Sequence, residues 1–445
     1  MKSIALIAVL AACSTSSPSA SPAPTGSASP TGSASPTERP DKEWPAWSDE
    51  WLLAQGAGFL AEAADARRAA LEAALTNPTN LYSRIRLAAY GLGDRGWDLL
   101  PVWNPRSAPV GAAEALGLAR GQIALPADRA PLWNGVRPTT MEEWVALGRR
   151  VFFEYPMRAE VFMEYALTEP ALAADVGVQR TKSGDIPGLV VFANVDGQTR
   201  VGITCAICHS NVVDGEVTPG QARRSFNYGK LRVTYDRVHQ TLRSEDEATR
   251  MLAWGPGRAD VTEDDDEDPV AIPDLWGLRD QRWLTQAGTI KHDSPLALAI
   301  RQETQLTDSN HALVRPPREL AWALTMFIYS LKPPPSTAVA SSRGKALFED
   351  NCGRCHNNAA YGGNTVAAST IGTDPALATG KGRGTGKYRV PALLDVRNGA
   401  PYLHHGAVAS LDELLSPTRN EPGHTAGTKL SADDRAQLIA FLQTL

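Results

Sequence analysis

Apolar residues that recur every three or four positions predict helices in three parts of the chain. The first lies within residues 141–154, where the periodic positions are Trp144, Leu147, Val151 and Phe152. The second covers residues 318–331 and is ended by the prolines at 333–335. The third begins at the capping sequence Ser431-Ala-Asp-Asp434 and carries the stripe Leu438, Phe441, Leu442 and Leu445.

Other patterns predict a hairpin, a helical N-terminal region and an irregular stretch. Two β-rich runs in residues 188–203 flank Asp196-Gly197, a dipeptide preferred in tight hairpin turns. Residues 49–75 have helical composition, within an extension over residues 41–140 that contains no histidine and no catalytic constellation. After residue 209 we expect a long irregular region, followed by the acidic run Glu263–Asp268. This run is more typical of a solvated loop than of a Ca²⁺ site, and calcium is the lesser alternative.

The N-terminus resembles a bacterial lipoprotein signal. One lysine precedes the apolar run Ile4–Leu10, and Leu-Ala-Ala precedes Cys13. Residues 1–12 are predicted to be a signal peptide and Cys13 the lipidated residue that anchors the protein to a membrane. The alternative is an ordinary signal peptide with an incidental cysteine. Residues 13–40 are rich in Ser, Pro, Ala, Thr and Gly, and predict a disordered tether.

The net charge and the lengths of the apolar runs limit the partners that the protein is expected to bind. The formal net charge of −5 gives no basic footprint for nucleic acid. No apolar run after the signal approaches the length of a transmembrane helix. We therefore expect an exported protein, periplasmic or at the cell surface, that reaches the membrane only through its N-terminal anchor.

Two Cys-x-x-Cys-His motifs dominate the chemistry. They are Cys205-Ala-Ile-Cys208-His209 and Cys352-Gly-Arg-Cys355-His356, and this pattern is the attachment sequence of haem c. In a helical turn both thiols can form thioethers with the haem vinyl groups, while the histidine binds iron from below. Zinc ribbons place their knuckles about 15–20 residues apart, far closer than these motifs, and a redox dithiol needs no following histidine. The sequence therefore predicts two covalently bound haem c groups, with His209 and His356 as proximal ligands.

The motifs divide the folded part of the chain into two haem domains, Met141–Pro335 and residues 336–445. In the second, Gly344–Phe348 leads directly into the haem motif, as in class I cytochromes c, which this region resembles. The predicted fold class is mainly α: two class I cytochrome c-like domains in tandem, an N-terminal helical extension and a small β-hairpin insertion.

The pair of domains resembles the bacterial dihaem cytochrome c peroxidase superfamily, which includes the rubber oxygenases and a tryptophan-oxidising dihaem enzyme. The resemblance covers residues 141–445 and rests on the two haem motifs, Tyr388-Arg-Val-Pro-Ala-Leu and Ala400-Pro-Tyr-Leu-His-His-Gly. It implies that the N-terminal haem (haem 1) reacts with peroxide or O₂. The C-terminal haem (haem 2) would exchange electrons with a small redox protein. A histidine that the peroxidases have about sixteen residues after the first motif is absent, and Ser225 stands there.

The resemblance also bears on the remaining ligands. The class I position for the sixth ligand, on the loop before the last helix, contains His424, and no methionine follows Met326. We therefore expect His424 to be the distal ligand of haem 2, with His404 as the alternative. Haem 1 is either open or closed by His239, His292 or His311.

Two catalytic residues follow from the resemblance alone. Trp283 corresponds to a tryptophan that lies between the haems of the peroxidases, and Glu303, twenty residues later, to an acid/base carboxylate. The Asp-Gly-Arg that accompanies the tryptophan is missing here. The alternatives are a core role for Trp283 and a solvated helix end for Glu303. Two functions stay open: a peroxidase-like or rubber oxygenase-like enzyme, and a dihaem electron carrier without catalysis.

Overall fold

The computed structural model describes residues 47–61, 64–90, 96–262, 264, 266–339 and 341–445, and these belong to one compact unit. The predicted signal peptide, Cys13 and the tether lie outside the described residues. Helices predominate, joined by short antiparallel strands. Within the described part of the chain, each helix is too short or too polar to span a bilayer.

The helices and strands follow in chain order, first those of the extension, then those of residues 141–335 and of residues 336–445. The extension contains α1 (Asp49–Ala61), α2 (Ala64–Ala74), α3 (Leu81–Tyr90), β1 (Ser107–Pro109) and α4 (Ala112–Ala119).

The region 141–335 has eight helices among its described residues: α5 (Met141–Glu154), α6 (Val161–Thr168), α7 (Pro170–Asp175), α8 (Ala206–His209), α9 (Tyr228–His239), α10 (Glu245–Trp254), α11 (Pro295–Ser309) and α12 (Arg318–Ser330). Its strands are β2 (Arg158–Ala159), β3 (Leu189–Ala193), β4 (Thr199–Ile203), β5 (Ser210–Val213), β6 (Glu216–Pro219), β7 (Arg258–Ala259), β8 (Val270–Ala271), β9 (Trp283–Leu284) and β10 (Ile290–Lys291).

The C-terminal region contains α13 (Ser342–Asn351), β11 (Thr365–Ala367), α14 (Ala368–Ile371), α15 (Ala376–Thr379), β12 (Lys387–Arg389), α16 (Leu411–Leu414) and α17 (Ala432–Leu442).

The three periodic helices predicted from sequence are confirmed. They are α5, α12 and α17, and Trp144, Val151 and Phe152 are buried in α5. Ser431 caps α17 by accepting a hydrogen bond from the Asp434 backbone N–H.

Two helix crossings in the fold have the same construction. In the first, α5 packs on α12; a Cβ at Gly148 would overlap the Ala323 carbonyl oxygen. In the second, α13 packs on α17; a Cβ at Gly344 would overlap the Gln437 carbonyl oxygen. Each glycine therefore lets two helix backbones approach directly.

An aromatic pair lies beside each crossing. Phe152 and Phe327 have ring centroids 5.2 Å apart at 54°, and Phe348 and Phe441 have centroids 5.3 Å apart at 52°. In each N-terminal helix the phenylalanine follows the glycine by four residues, one turn along the same face. The same sequence pattern therefore produces the same packing in both regions.

The predicted hairpin is part of a larger sheet. Strands β3 and β4 pair antiparallel in register Val191↔Val201, as expected, but the sheet has the order β1-β3-β4-β2. Strand β1 comes from the extension, so it covers the outer edge of β3. The predicted hairpin is therefore present, and its two strands are flanked by β1 and β2, which pair their outer backbone donors and acceptors.

The predicted irregular region after the first motif is wrong in part, since it contains α9 and α10. Their buried residues are Leu231, Val233, Ala248, Met251 and Trp254, and Gly229 lies against the Met251 carbonyl. Leu231 and Val233 are spaced by two rather than by three or four residues, so the sequence shows no helical period there.

The extension packs on the first haem region. Helices α1 and α2 contact α11, and Phe59 stacks on Trp322 of α12 with centroids 5.7 Å apart. The helical segment predicted over residues 49–75 corresponds to two helices, α1 and α2.

Candidate haem sites

The first motif directly follows β4. Gly188, at φ +95°, lies against the Ile207 backbone, where a Cβ would overlap, and its carbonyl accepts a hydrogen bond from Thr204 N–H at 2.9 Å. The one-turn helix α8 then carries Cys208 and His209. Cys205 contacts the apolar core formed by the extension, α5, α11 and α12, and Cys208 contacts a second core formed around the sheet. The strand therefore places the motif between two cores.

Both motif histidines are held in one orientation by a backbone carbonyl. His209 Nδ1 lies 3.0 Å from the Pro273 oxygen, and His356 Nδ1 lies 2.7 Å from the Tyr361 oxygen. Burial lowers the pKa of each imidazole to about 4. A neutral ring that donates from Nδ1 leaves the Nε2 lone pair for iron. Both histidines thus fit the proximal role.

Three of the four motif thiols lie where burial disfavours the thiolate form. Cys205, Cys208, Cys352 and Cys355 form no disulfide. Burial raises the pKa to about 12 for Cys205 and about 11 for Cys208 and Cys352. Zinc and dithiol chemistry both require thiolates, whereas a thioether is neutral. In the part of the chain that the structure describes, no group of three or more Cys, His, Asp or Glu could hold a metal ion.

The proximal histidines are supported by a repeat that the sequence analysis did not identify. Pro273-Asp-Leu-Trp-Gly-Leu-Arg279 matches Pro391-Ala-Leu-Leu-Asp-Val-Arg397. Each leads into a 3₁₀ turn, Leu278–Asp280 or Val396–Asn398, after a residue with positive φ, Gly277 at +69° or Asp395 at +57°. The Pro391 backbone also interacts with His356 and counters the fall of its pKa. The pattern Pro-x-Leu-x-x-x-Arg, which both segments share, is the sequence signal from which this repeat could have been found.

A cavity of about 400 Å³ adjoins the second motif. Cys352, Cys355, His356 and His424 all line it. Its volume falls within the range of about 300–1,000 Å³ for cofactor pockets, and two thiols with two imidazoles are the donor set of a bis-histidine haem c. His424 Nδ1 is buried without a hydrogen-bond partner, in a residue held at φ +45°. These residues fit a haem.

His404 lines the same cavity in a different setting. Its ring stacks between Tyr388, at 4.1 Å, and His405, at 4.4 Å between centroids. His405 Nε2 in turn lies 2.8 Å from Glu421 Oε1. Both histidines offered as distal ligands of haem 2 therefore face the cavity, but His404 is sandwiched between two rings and His424 is not.

The three histidines considered for haem 1 lie elsewhere. His239 is exposed and stacks on Tyr235 at 3.9 Å, and His311 is exposed. His292 is fully buried, but its Nδ1 meets the Gln281 oxygen at 2.7 Å and its Nε2 the Tyr329 hydroxyl at 2.5 Å. Both ring nitrogens are thus satisfied by protein. None of the three is therefore a buried histidine with a free ring nitrogen.

Glu303 is not at a solvated helix end, so that alternative is wrong. It lies within α11, is 0% exposed, and its Oε2 is 4.0 Å from the Nε of Arg67, which is also buried. Arg67 pairs further with Asp98, which pairs with Arg318. The extension therefore supplies the cation beside the predicted acid/base residue.

Trp283 lies in β9, opposite Lys291 of β10. It is half-buried, and its indole Nε1 is buried with no hydrogen-bond partner among the described residues. It is not among the residues that line the cavity at the second motif.

The acidic run considered for calcium is described at residues 264 and 266–268. The pKa of Asp268 is raised to about 6, first by burial and then by neighbouring carboxylates, those of Asp264, Asp260, Asp266 and Asp374. Calcium remains the lesser alternative for this run.

Comparison with known proteins identifies the C-terminal region. Residues 341–445 match the cytochrome c family model. This match confirms the cytochrome c resemblance for that region. No curated protein matches the chain significantly.

Two solved structures show partial similarity. One is a MauG-like protein associated with microbial copper homeostasis, with 20% identity, a TM-score of 0.32, and coverage of 43% of this chain and 78% of that one. The other is hydrazine synthase of Kuenenia stuttgartiensis, with 16% identity, a TM-score of 0.34, and coverage of 73% and 98%.

Proposed function

We propose that this chain, whose residues 341–445 match the cytochrome c family, is an exported dihaem c-type oxidoreductase built from two cytochrome c-like domains in tandem. Haem 1, attached at Cys205 and Cys208, is the peroxide or O₂ site. Haem 2, attached at Cys352 and Cys355 with axial His356 and His424, is the electron-transfer haem. A small redox protein supplies or removes electrons.

The repeated constellation carries this proposal. In both regions a glycine-mediated helix crossing, a Cys-x-x-Cys-His motif, and a Pro-x-Leu-x-x-x-Arg segment beside the proximal histidine occur together. One such set is what a haem c domain needs, because the thiols fix the ring and the carbonyl fixes the ligand. Two sets support two haems.

The protein groups have distinct tasks in this scheme. His209 and His356 would hold the two irons through Nε2, while the carbonyls of Pro273 and Tyr361 accept from their Nδ1. The haem irons would supply the redox chemistry when bound. His424 would be the second ligand of haem 2 and would exclude substrate from that iron. His239 and His311 are exposed and His292 is hydrogen-bonded through both ring nitrogens, which supports a haem 1 that would accept a small oxidant.

Glu303 and Trp283 are proposed for the catalytic steps. Glu303 would serve as the acid/base group for a peroxide, and Arg67, whose Nε lies 4.0 Å from its Oε2, would hold the carboxylate in place. Trp283 shortens the electron path between the two sites. The complete burial of Glu303 supports this role, because a carboxylate without a partner or a function normally lies at the protein surface.

A spectrum and a kinetic assay test the function. We expect a pyridine haemochrome assay to give two haems per chain and the ferric protein to contain one high-spin and one low-spin haem. Glu303→Gln should abolish peroxide turnover with both haems retained, while Trp283→Phe slows electron transfer between them. The control is Glu319→Gln on α12, which removes an exposed ion pair with Arg137. A half-reduced protein with two low-spin haems and no peroxide reaction would instead assign the carrier function.

A further inference from the structure

A chain of ion pairs joins the extension to Glu303. Arg67 of α2 lies between two carboxylates and treats them differently. Its Nη2 donates to both carboxylate oxygens of Asp98 at 2.7 Å, whereas its Nε lies 4.0 Å from Glu303 Oε2. The first contact is a short charge-assisted hydrogen bond, and the second is an ion pair beyond hydrogen-bond distance. Arg67 therefore interacts more strongly with Asp98 than with Glu303.

Burial makes this difference matter for Glu303. The side chains of Arg67 and Glu303 are both 0% exposed, whereas that of Asp98 is 27% exposed. Removal from water favours the protonated form of a carboxyl group, and a nearby cation favours the ionised form. How tightly Glu303 holds a proton therefore depends on how closely positive charge approaches it.

Helices α1, α2, α3 and α12 pack against α11, which carries Glu303. From α12, Arg318 lies 2.5 Å from Asp98 Oδ1, and Arg315, just before α12, is influenced by the charges of Asp98 and Glu303. The other two arginines in these helices are engaged nearby: Arg86 of α3 lies over the Tyr82 ring, and Arg301 of α11 contacts Gln302. Asp98 thus binds the cations that α2 and α12 contribute beside Glu303.

Asp98 stays ionised in this position. Burial by itself would raise the pKa of Asp98, but hydrogen bonds from Arg318 and Arg67, together with their charges, lower it below its usual value. Asp98 is therefore an anion that can hold Arg67 at neutral pH.

An acid/base group has to accept a proton and release it again near the working pH. A carboxylate that receives a direct hydrogen bond from arginine stays ionised, and a buried carboxyl group far from any cation stays protonated. We propose that Asp98 is a positioning residue for Glu303: by binding Arg67 it prevents a direct Arg67–Glu303 hydrogen bond and lets Glu303 hold a proton. This inference rests on the proposed acid/base role of Glu303, and it makes the extension part of the catalytic site.

The two partners of this pair should act on Glu303 in opposite directions. Asp98→Asn releases Arg67 to approach Glu303, so the pH at which Glu303 is half-protonated should fall by about one unit. Arg67→Gln removes the cation, so the same pH should rise by about one to three units. If the pair served only to attach the extension, both variants would loosen the same contact and would shift Glu303 alike.

The test is infrared difference spectroscopy of the full-length holoprotein as a function of pH, after a haem count. The C=O stretching band of protonated Glu303, identified by its loss in Glu303→Gln, reports the proton without turnover. The band should disappear at lower pH in Asp98→Asn and persist to higher pH in Arg67→Gln. Glu72→Gln is the matched control, because it removes an exposed pair with Arg68 on the same helix and should leave the band unchanged.

The pH profile of peroxide turnover separates this inference from the proposed function. Turnover that shifts with the band supports both. Opposite band shifts in a wild-type protein that does not turn over peroxide would refute the function and leave the role of Asp98 standing. A band that is unchanged in both variants, or that shifts the same way in both, would overturn the role of Asp98.

A second variant decides the question if Asp98→Asn does not fold. In Arg318→Gln, Asp98 has one cation fewer and should hold Arg67 more tightly. Glu303 should then stay protonated to higher pH than in the wild type, and an unchanged or lower pH of half-protonation would overturn the proposal.

Discussion

Residues 141–335 and residues 336–445 pack their bounding helices alike but surround their motif histidines differently. Gly148 and Gly344 make equivalent crossings, and Phe152–Phe327 and Phe348–Phe441 pack at nearly the same distance and angle. At the second site His424 and His356 line one cavity. At the first, the histidines considered are exposed or already hydrogen-bonded. Under the proposed function, one scaffold would hold a closed iron and an open one, according to the histidines that the loops supply.

The size of the insertions explains how this difference arises. The second region runs from its N-terminal helix directly into Cys352, which is the C-cap of α13. The first places a sheet and two helices between α5 and Cys205 and is covered by the extension. More surrounding structure allows a site to be shaped for a substrate, whereas a compact site near the surface suits electron exchange with another protein.

The most direct way to break the comparison is to remove one motif at a time. Cys352→Ser with Cys355→Ser should leave one haem per chain, and Cys205→Ser with Cys208→Ser should leave the other. Each change removes both thioether bonds, so we expect loss of about one whole haem equivalent in a pyridine haemochrome assay. Cys13→Ser is the control and should keep two haems. Loss of both haems from either double variant would mean that the regions do not mature independently.

The next largest effect is expected from removing His424, the proposed second ligand of haem 2. His424→Ala should convert haem 2 from low-spin to high-spin, because a strong-field imidazole is lost. Electron paramagnetic resonance should then show only high-spin ferric haem. His404→Ala is the matched control in the same cavity and should leave the low-spin signal intact. The opposite result would make His404 the ligand.

Much of this scaffold was predictable from sequence, and the failures have physical causes. The haem motifs, α5, α12 and α17 follow from strict local patterns. Helix α9 was missed because its buried Leu231 and Val233 alternate like strand residues, and its stability comes from packing against α10. The burial of Glu303 depends on Arg67, more than 200 positions earlier in the chain, and no local pattern encodes such a pairing.

The helix crossings should respond to the same substitution in the same way. Gly148→Ala and Gly344→Ala each force a methyl group against a carbonyl oxygen of the partner helix. We expect each to lower the free energy of unfolding by about 1–3 kcal/mol, as for overpacked cores, measured by denaturant unfolding of the holoprotein. Ala346→Ser, an exposed change on α13 that adds one atom, should cost less than about 0.5 kcal/mol. A large effect at only one glycine would show that the crossings are not equivalent.

The smallest expected effect concerns Asp268, a carboxyl group close to acidic residues of both regions. Its neighbours include Asp264 of the first region and Asp374 of the second. The raised pKa of Asp268, about 6, means that the native state binds its proton more tightly than the unfolded chain does. Its contribution therefore stabilises the fold below about pH 4 and is lost as pH rises through about 6.

Asp268→Asn should raise the free energy of unfolding at pH 7 by at most about 1 kcal/mol, because solvent screens the partly exposed carboxylate. This gain should disappear at about pH 4, where the wild-type carboxyl is protonated. Asp128→Asn, at an exposed aspartate that is not among the neighbours acting on Asp268, is the control. If added Ca²⁺ raises the melting temperature of the wild type but not of Asp268→Asn, the carboxylates hold a cation, and the repulsion between the two regions is relieved by metal rather than by protons.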